Sequence, residues 1–162
     1  MAYGSGLRVS EIAALQTAAI DSSAMRVMVR GGKGHKDRYT LLSQAALAAL
    51  RAYWRAYRPV DPAGWLFPST GSTGHVTSEA IQQAFARAAA AVPIGASVSI
   101  HTLRHCFATH LLEDGATLLQ IKELLGHRSI QSTTVYLHLA PLSAGLQSPL
   151  DTFFPTEASD AR

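Results

Sequence analysis

The chain lacks the features of a secreted or membrane-spanning protein. Its one cysteine, Cys106, cannot form a disulfide within the chain. No charged-then-apolar leader is present, and no apolar run is long enough to span a bilayer. We therefore expect a cytoplasmic protein with no membrane partner.

The chain also has little that matches a nucleotide or metal site. Gly31-Gly32-Lys33-Gly34 lacks the glycine spacing, and the Ser or Thr after Gly-Lys, that a phosphate-binding P-loop requires. His101 and His105 have the spacing of a zinc-binding His-Glu-x-x-His helix, but position 102 is threonine where that motif has its catalytic glutamate. We expect no metal and no cofactor, and keep a zinc hydrolase as a minor alternative.

Charged residues are scarce, at 15% of 162 residues, whereas 48% are hydrophobic. This composition fits one globular domain with a single core. The net charge of +3 is a mild excess that does not by itself imply a polyanionic partner. Five cations nevertheless cluster in one short stretch: Arg26, Arg30, Lys33, Lys36 and Arg38. This stretch could face phosphates, or it could be a solvated hairpin kept soluble by its charges.

Hydrophobic periodicity predicts a mainly α-helical chain with a small antiparallel β-sheet, an α+β fold class. Helices are predicted over residues 7–15, 43–57, 77–91, 101–113, 117–125 and 129–139. Period-two alternation predicts strands over 25–30 and 37–42, joined by a glycine turn that carries Lys33 near its tip. Residues 21–23 are predicted to form a turn, and the helix over 43–57 is expected to be buried core.

The predicted helix over 101–113 places different chemistry on two faces. At about 100° per residue, one face carries His101, Arg104, His105 and Ala108. The other, expected to pack on the core, carries Leu103, Phe107 and Leu111. Two histidines beside an arginine can bind an anion, although an exposed polar face also gathers such residues by chance.

Tyr136 lies in the segment Thr133-Thr134-Val135-Tyr136-Leu137-His138, shortly after Gly126-His127. A tyrosine among apolar neighbours is most often a packing residue. Its immediate surroundings therefore leave its role open.

Taken in order, these segments resemble the tyrosine recombinase or phage integrase family over residues 3–140. Five blocks carry the resemblance: Gly4-Ser5-Gly6-Leu7-Arg8-Val9-Ser10-Glu11, Gly32-Lys33-Gly34-His35-Lys36-Asp37-Arg38, His101-Thr102-Leu103-Arg104-His105-Cys106-Phe107-Ala108-Thr109-His110, Leu124-Leu125-Gly126-His127-Arg128-Ser129 and Thr133-Thr134-Val135-Tyr136. The resemblance implies a tyrosine recombinase catalytic-domain fold over residues 1–140. It also implies that the N-terminal DNA-clamp domain usual in the family is absent from this chain, and that residues 141–162 are a C-terminal tail.

The resemblance further implies a set of site residues. The catalytic residues would be Arg8, Lys33, His101, Arg104, His127 and Tyr136, supported by Glu11. In this scheme Tyr136 attacks a DNA phosphate whose nonbridging oxygens Arg8 and Arg104 hold. Lys33 protonates the leaving 5′ oxygen, His101 assists proton transfer from the tyrosine, and His127 hydrogen-bonds the phosphate. The residues expected to bind DNA are Arg30, Lys36, Arg38, His105 and Arg128.

Site-specific DNA recombination, in integration, excision or transposition, is the activity that the resemblance implies. A 3′-phosphotyrosine intermediate keeps the energy of the broken bond, so strand exchange needs neither ATP nor metal. The implied partner is double-stranded DNA, on which family members assemble as tetramers. Without the clamp domain, we expect weak, salt-sensitive DNA binding, because fewer phosphate contacts mean less counterion release.

Other functions stay open at this point. A type IB topoisomerase uses the same covalent chemistry but lets the cut strand rotate, and a non-catalytic DNA-binding remnant would keep the residues without turnover. The tail, in turn, could dock as a helix on a neighbouring protomer or fold back on its own domain. Its apolar residues are Leu142, Leu146, Leu150, Phe153 and Phe154.

Overall fold

The described part of the chain consists of six α-helices and one three-stranded sheet. The computed structural model describes residues 1–31, 37–69, 71, 74–93, 98–127, 129 and 131–135. The elements follow the order α1 (Val9–Ala13), β1 (Ile20–Asp21), β2 (Arg26–Val29), β3 (Arg38–Leu41), α2 (Gln44–Tyr57), α3 (Ser78–Ala90), α4 (Ile100–Glu113), α5 (Leu118–Leu125) and α6 (Gln131–Thr134), with a 3₁₀ turn (Thr17–Ala19) before β1. The sheet is antiparallel, with its strands in chain order. This confirms the predicted α+β class.

Side-chain caps fix the starts of the four longest helices. Ser43, Thr77, Ser99 and Thr117 each accept a hydrogen bond from the backbone N–H three residues further on. In α4 and α5 the bond is reciprocal, because the third helical residue accepts from the N–H of the capping residue. Each cap stabilises its helix by about 1 kcal/mol. The helices predicted over 43–57, 77–91, 101–113 and 117–125 are thereby confirmed, with their capping residues just outside them.

The sheet contains one strand more than the predicted hairpin. Asp21 is the last residue of β1 and pairs with Arg26, and the predicted turn follows it at residues 22–25. Its carboxylate accepts hydrogen bonds from the hydroxyl of Ser23 and the N–H of Ala24, which closes the tight turn into β2. The two-residue strand β1 is too short for an alternation pattern to reveal it.

Two apolar clusters form the core. The larger lies between α1, the sheet and α2, and the smaller joins α4 to α5 through Phe107, Ala108, Ile121 and Leu125. The prediction that the whole helix over 43–57 is buried was wrong. Leu47 is its one buried residue, while Trp54 is 43% and Tyr57 74% exposed. Only one side of α2 meets the larger cluster, so its other side faces solvent.

Helix α4 packs between the two clusters, and this corrects the predicted division of its faces. Leu103 contacts the larger cluster, whereas Phe107 belongs to the smaller one. The face predicted to be opposite the core is itself partly buried, because Arg104 is 2% and Ala108 0% exposed. His101 and His105 on that face are exposed.

No helix in the described part of the chain is both long and apolar enough to cross a membrane.

Ser129 precedes α6 instead of starting it, and its hydroxyl accepts a hydrogen bond from the N–H of Gln131. The remainder of the helix predicted over 129–139, and the tail over 141–162, lie outside the described residues.

Candidate active site

Glu11 lies at the centre of a cluster of arginines. Its Oε1 accepts hydrogen bonds from Nη1 of Arg8 at 2.9 Å and from Nη1 of Arg38 at 2.8 Å. Its Oε2 accepts from Nη2 of Arg38 at 2.8 Å and lies 3.7 Å from Nη1 of Arg104. Three guanidinium groups therefore share one carboxylate, and the cluster keeps a net positive charge.

The C-terminal end of α5 holds the same three arginines from another side. Arg38, Arg104 and Arg8 donate to the carbonyl oxygens of the consecutive residues 124–126, at 2.9, 2.7 and 3.4 Å respectively. Carbonyls in the last turn of a helix have no partner within the helix, and the helix dipole makes them partly negative. The arginines thus satisfy the end of α5, and α5 fixes the positions of the arginines.

Two glycines permit these close approaches. Gly6 has a φ of 61°, and its carbonyl accepts a hydrogen bond from Nη1 of Arg104. A Cβ atom on Gly6 would lie 2.5 Å from the ring of Phe107. Gly126 has a φ of 66°, and a Cβ atom there would lie 2.8 Å from Cδ of Arg38. Backbone conformation and packing therefore both require glycine at these positions.

The three arginines differ in exposure. The side chain of Arg104 is 2% exposed, that of Arg38 10% and that of Arg8 28%. A guanidinium group stays charged when buried, so Arg104 and Arg38 depend on the carboxylate of Glu11 and on the carbonyls of α5. Arg8 presents the most accessible of the three groups to a ligand.

His101 and His105 are adjacent on α4, with ring centroids 4.6 Å apart in an edge-to-face contact. Although the residue as a whole is exposed, partial desolvation of its ring lowers the pKa of His101 below its ordinary value, and the charges of His105, Arg104 and Arg8 lower it further. This shift favours the neutral form of His101, which can take up a proton. In the described ranges, no group of three His, Cys, Asp or Glu side chains could hold a metal ion.

His127 lies between the end of α5 and α6. Its Nδ1 is hydrogen-bonded to Oγ1 of Thr133 at 3.1 Å, and Thr133 is fully buried. Partial burial lowers the pKa of His127 to about 4, and the charges of Arg104 and Arg8 contribute to the shift. The ring is therefore neutral at pH 7 and carries one N–H donor.

The structure brings together five of the seven residues predicted to be catalytic or supporting: Arg8, Glu11, His101, Arg104 and His127. Hydrogen bonds and ion pairs join the two arginines to Glu11, and the charges of both arginines lower the pKa values of both histidines. Lys33, Lys36, Arg128 and Tyr136 lie outside the described residues, so their roles stay predictions.

Three predicted DNA-binding residues are described, in different settings. Arg30 is exposed, donates to Oε1 of Gln16 at 3.3 Å and lines a 400 Å³ cleft that Glu11 also lines. His105 is exposed beside His101. The half-buried Arg38 is directed at Glu11 and the end of α5. Its contact with DNA stays a prediction, and the geometry favours a positioning role instead.

Sequence reasoning missed Thr133 and the carbonyl groups of residues 124–126. Carbonyl groups leave no signal in residue type, because every residue has one. In the structure, Arg38 shares its face of β3 with Thr40, which is 1% exposed, although the apolar residues of this strand lie on the other face. That shared face indicates an inward-pointing arginine.

We expect Glu11→Gln to lower the free energy of unfolding by about 3–5 kcal/mol. The change leaves buried guanidinium groups without an anion, which is the costly way to break a buried ion pair. Urea denaturation at pH 7 measures the loss. Glu11→Asp, which keeps the charge, is the matched control and should lose less. A cost for Glu11→Gln below about 1 kcal/mol, typical of exposed pairs, would contradict this arrangement.

Stability is also expected to fall as the pH drops from about 6.5 towards 4. The folded state holds His127 with a lowered pKa of about 4, so between these pH values the unfolded chain binds more protons and gains stability. The urea midpoint, measured at several pH values, reports this loss. In His127→Asn the midpoint should depend less on pH. An unchanged pH slope in that variant would show that His127 is not held neutral by the fold.

Comparisons with known proteins show the family to which the chain is related. The model of the phage integrase family matches residues 1–142. Tyrosine recombinase XerD of Rhizobium meliloti is 41% identical over 139 residues, which are 85% of this chain and 44% of that protein. XerD of Caulobacter vibrioides is 45% identical over 144 residues, which cover 85% of this chain and 47% of that protein. The chain thus spans about half the length of these curated relatives.

Solved structures show the same fold. The crystal structure of XerA recombinase superimposes with a TM-score of 0.74 at 28% identity, covering 96% of this chain and 56% of that one. A second structure is that of XerH site-specific recombinase, bound to a palindromic difH substrate in a post-cleavage complex. It gives a TM-score of 0.70 at 25% identity and covers 85% of this chain and 40% of that one. Sequence, fold and the clustered arginines agree, and the chain belongs to the phage integrase family.

Proposed function

We propose that this chain is the catalytic domain of a tyrosine-type site-specific DNA recombinase. The arginine cluster around Glu11 carries the proposal, since it combines fixed, always-charged donors with a net positive charge. Such a site suits a phosphodiester, whose transition state gains charge on its nonbridging oxygens. Relatives named as tyrosine recombinases support recombination over strand relaxation, a zinc hydrolase or an inactive remnant.

The proposed reaction is a transesterification. The phenol oxygen of Tyr136 attacks the phosphorus, the bond from phosphorus to the 5′ oxygen breaks, and a 3′-phosphotyrosine forms. The phenol proton leaves with the help of neutral His101, and Lys33 gives a proton to the leaving 5′ oxygen. A second strand's 5′ hydroxyl then reverses the step and reseals the DNA, so the reaction needs no external energy source.

Arg8 and Arg104 hold the phosphate in this scheme, and Glu11 supports them. Arg8 supplies accessible donors, whereas the buried Arg104 acts through a poorly solvated charge, which is stronger than a charge in water. His127 donates an N–H to the same phosphate. Arg38 would be a positioning residue, because it holds Glu11 through two hydrogen bonds.

The proposed partner is double-stranded DNA in the cytoplasm. Arg30, Lys36, His105 and Arg128 would contact its phosphates, as predicted from the sequence. Residues 1–140 would form the catalytic unit, and four chains would assemble on the DNA. The tail over 141–162 keeps its two alternatives of docking on a neighbour or folding back. Chromatography with and without the tail tests them, since an unchanged assembly size would exclude docking on a neighbour.

The experiment that tests the proposed function uses a nicked, end-labelled suicide duplex. Fragments of the DNA that flanks the chain's own gene provide candidate targets, and anisotropy at low salt identifies those that bind. The nick releases a short strand after cleavage, so the covalent intermediate accumulates. We expect a labelled band that survives denaturation and disappears on proteolysis, with much less of it from the unnicked duplex. A bound nicked duplex that yields no such band would contradict the proposal.

A further inference from the structure

The hydrogen bond between His127 and Thr133 links the end of α5 to helix α6. The arginine cluster does not join these two segments. Thr133 is 0% exposed, so water cannot easily replace its hydroxyl as the partner of Nδ1. Its neighbour Thr134 uses its own hydroxyl differently, donating to the carbonyl of Gln131 at 2.9 Å. Thr133 therefore has a contact with His127 that Thr134 does not share.

The backbone on either side of this bond is well anchored. Gly126 ends α5 in the left-handed conformation, and the N–H of His127 donates to the carbonyl of Lys122. On the other side, Ser129 accepts from the N–H of Gln131 at the start of α6. Fixing the backbone does not fix an imidazole ring, which can still rotate and exchange its two tautomers. The hydrogen bond to Thr133 stops the ring from rotating, so that Nε2 faces the phosphate, whose acceptor oxygens then decide the tautomer.

The chemistry of the ring then selects one tautomer. A phosphate oxygen accepts hydrogen bonds, so a neutral imidazole can bind it only through its single N–H. Nδ1 already faces Thr133, which leaves Nε2 for the phosphate. Nε2 must therefore carry the hydrogen, and Nδ1 must accept from the hydroxyl of Thr133. A hydroxyl hydrogen rotates freely enough to take this donor role.

We propose that Thr133 is a positioning residue that holds His127 in its Nε2–H tautomer, with Nε2 directed to the scissile phosphate. This inference rests on the proposed function for its phosphate. It adds a residue that neither reacts nor touches the DNA, and that acts through His127. The net charge of the site is unchanged by this contact, so its effect is on geometry and tautomer alone.

The test compares four forms of the full chain: wild type, Thr133→Val, Thr133→Ser and Thr134→Val. Valine has nearly the shape of threonine but lacks the hydroxyl, serine restores the hydroxyl, and Thr134→Val removes a hydroxyl from the adjacent residue. We expect Thr133→Val to slow adduct formation on bound suicide DNA by about 10-fold to 100-fold, as small misplacements of catalytic groups do. DNA affinity should change by less than about threefold, because one contact among many phosphate contacts is weakened. Thr133→Ser and Thr134→Val should stay within about threefold of wild type in rate, since each keeps the hydroxyl at residue 133.

A second measurement, of the tautomer of His127, does not depend on activity. Long-range ¹H–¹⁵N spectra of histidine rings distinguish the two tautomers, and His127→Asn identifies the His127 signals among the seven histidines. With DNA bound, we expect the Nε2–H form in wild type and Thr133→Ser, and a mixture of tautomers in Thr133→Val. A wild-type Nδ1–H form would overturn the proposal without any variant being needed.

The outcomes also separate this inference from the proposed function. If wild type forms no adduct on bound DNA, the proposed function fails, and the spectra still decide whether Thr133 fixes the tautomer. If wild type forms the adduct and Thr133→Val reacts at the same rate, the proposed function stands and the role of Thr133 is refuted. A rate loss shared equally by Thr134→Val would likewise refute it, because the effect would then be on helix α6 in general.

Discussion

Replacing Tyr136 by phenylalanine is expected to abolish the covalent DNA adduct completely. A phenol has a pKa near 10, so at pH 7 about one molecule in a thousand is ionised, which costs about 4 kcal/mol against attack. In the proposed reaction, the arginine cluster offsets this cost by stabilising negative charge, and His101 offsets it by accepting a proton. Phenylalanine has no oxygen to activate, so none of these groups can compensate for its loss.

DNA binding should survive the same change. The phenol oxygen makes at most one contact with the DNA, so the dissociation constant should stay within about twofold of wild type. Tyr39→Phe is the matched control, because Tyr39 is a 51% exposed tyrosine whose ring lies beneath Arg26. Its adduct yield should equal that of wild type. Residual adduct in Tyr136→Phe, or its loss in Tyr39→Phe, would place the nucleophile elsewhere.

Arg104 variants are expected to lose both activity and stability. Arg104→Lys keeps a charge but lacks the fork that reaches the carbonyls of Gly6 and Leu125 together. Without this fork the charge of the lysine lies in a different place, and loss of one correctly placed cation of this kind lowers the cleavage rate by about 10²-fold to 10³-fold. Arg104→Met also leaves buried carbonyls unpaired and Glu11 with fewer cations. Its free energy of unfolding should fall by about 3–5 kcal/mol.

Arg8 provides the matched comparison for Arg104. Arg8→Lys should slow cleavage by a similar factor, because both arginines are proposed to hold the phosphate. Its stability cost should stay below about 1.5 kcal/mol, since its side chain is 28% exposed against 2% for Arg104. Single-turnover cleavage and urea denaturation together measure the two effects. Equal stability losses in Arg8→Lys and Arg104→Lys would contradict the burial difference between them.

The helices could be predicted from the sequence because the interactions that begin and end them are local. Ser99 and Thr117 cap α4 and α5 within one helical turn, and Gly126 ends α5 because glycine adopts a positive φ at little cost. Each of these signals lies within a few residues of the helix end that it determines. Burial of α2 was overestimated because apolar content shows how much surface a helix could bury, and the neighbouring elements decide how much it does bury.

The prediction of the site residues depended on the family resemblance. Arg8 and Gly126, which contact each other, are 118 residues apart, and periodicity cannot indicate that two such segments meet. The sequence of strand β3 also does not show which of its faces is buried. Its exposed residues are the apolar Tyr39 and Leu41, whereas Arg38 and Thr40 point inward. A hydrophobic pattern would assign the opposite faces, so the alternation of this strand does not reveal that Arg38 lies on its buried side.

Mapping the covalent attachment tests the central claim most directly. The adduct from the suicide duplex is digested with protease and nuclease, and mass spectrometry locates the residue that keeps a nucleotide. The account predicts a single modified residue, Tyr136, joined to the 3′-phosphate of the cut strand, with a free 5′ hydroxyl on the released fragment. A nucleotide on Tyr3 or Tyr39, or a linkage through a 5′-phosphate, would contradict it.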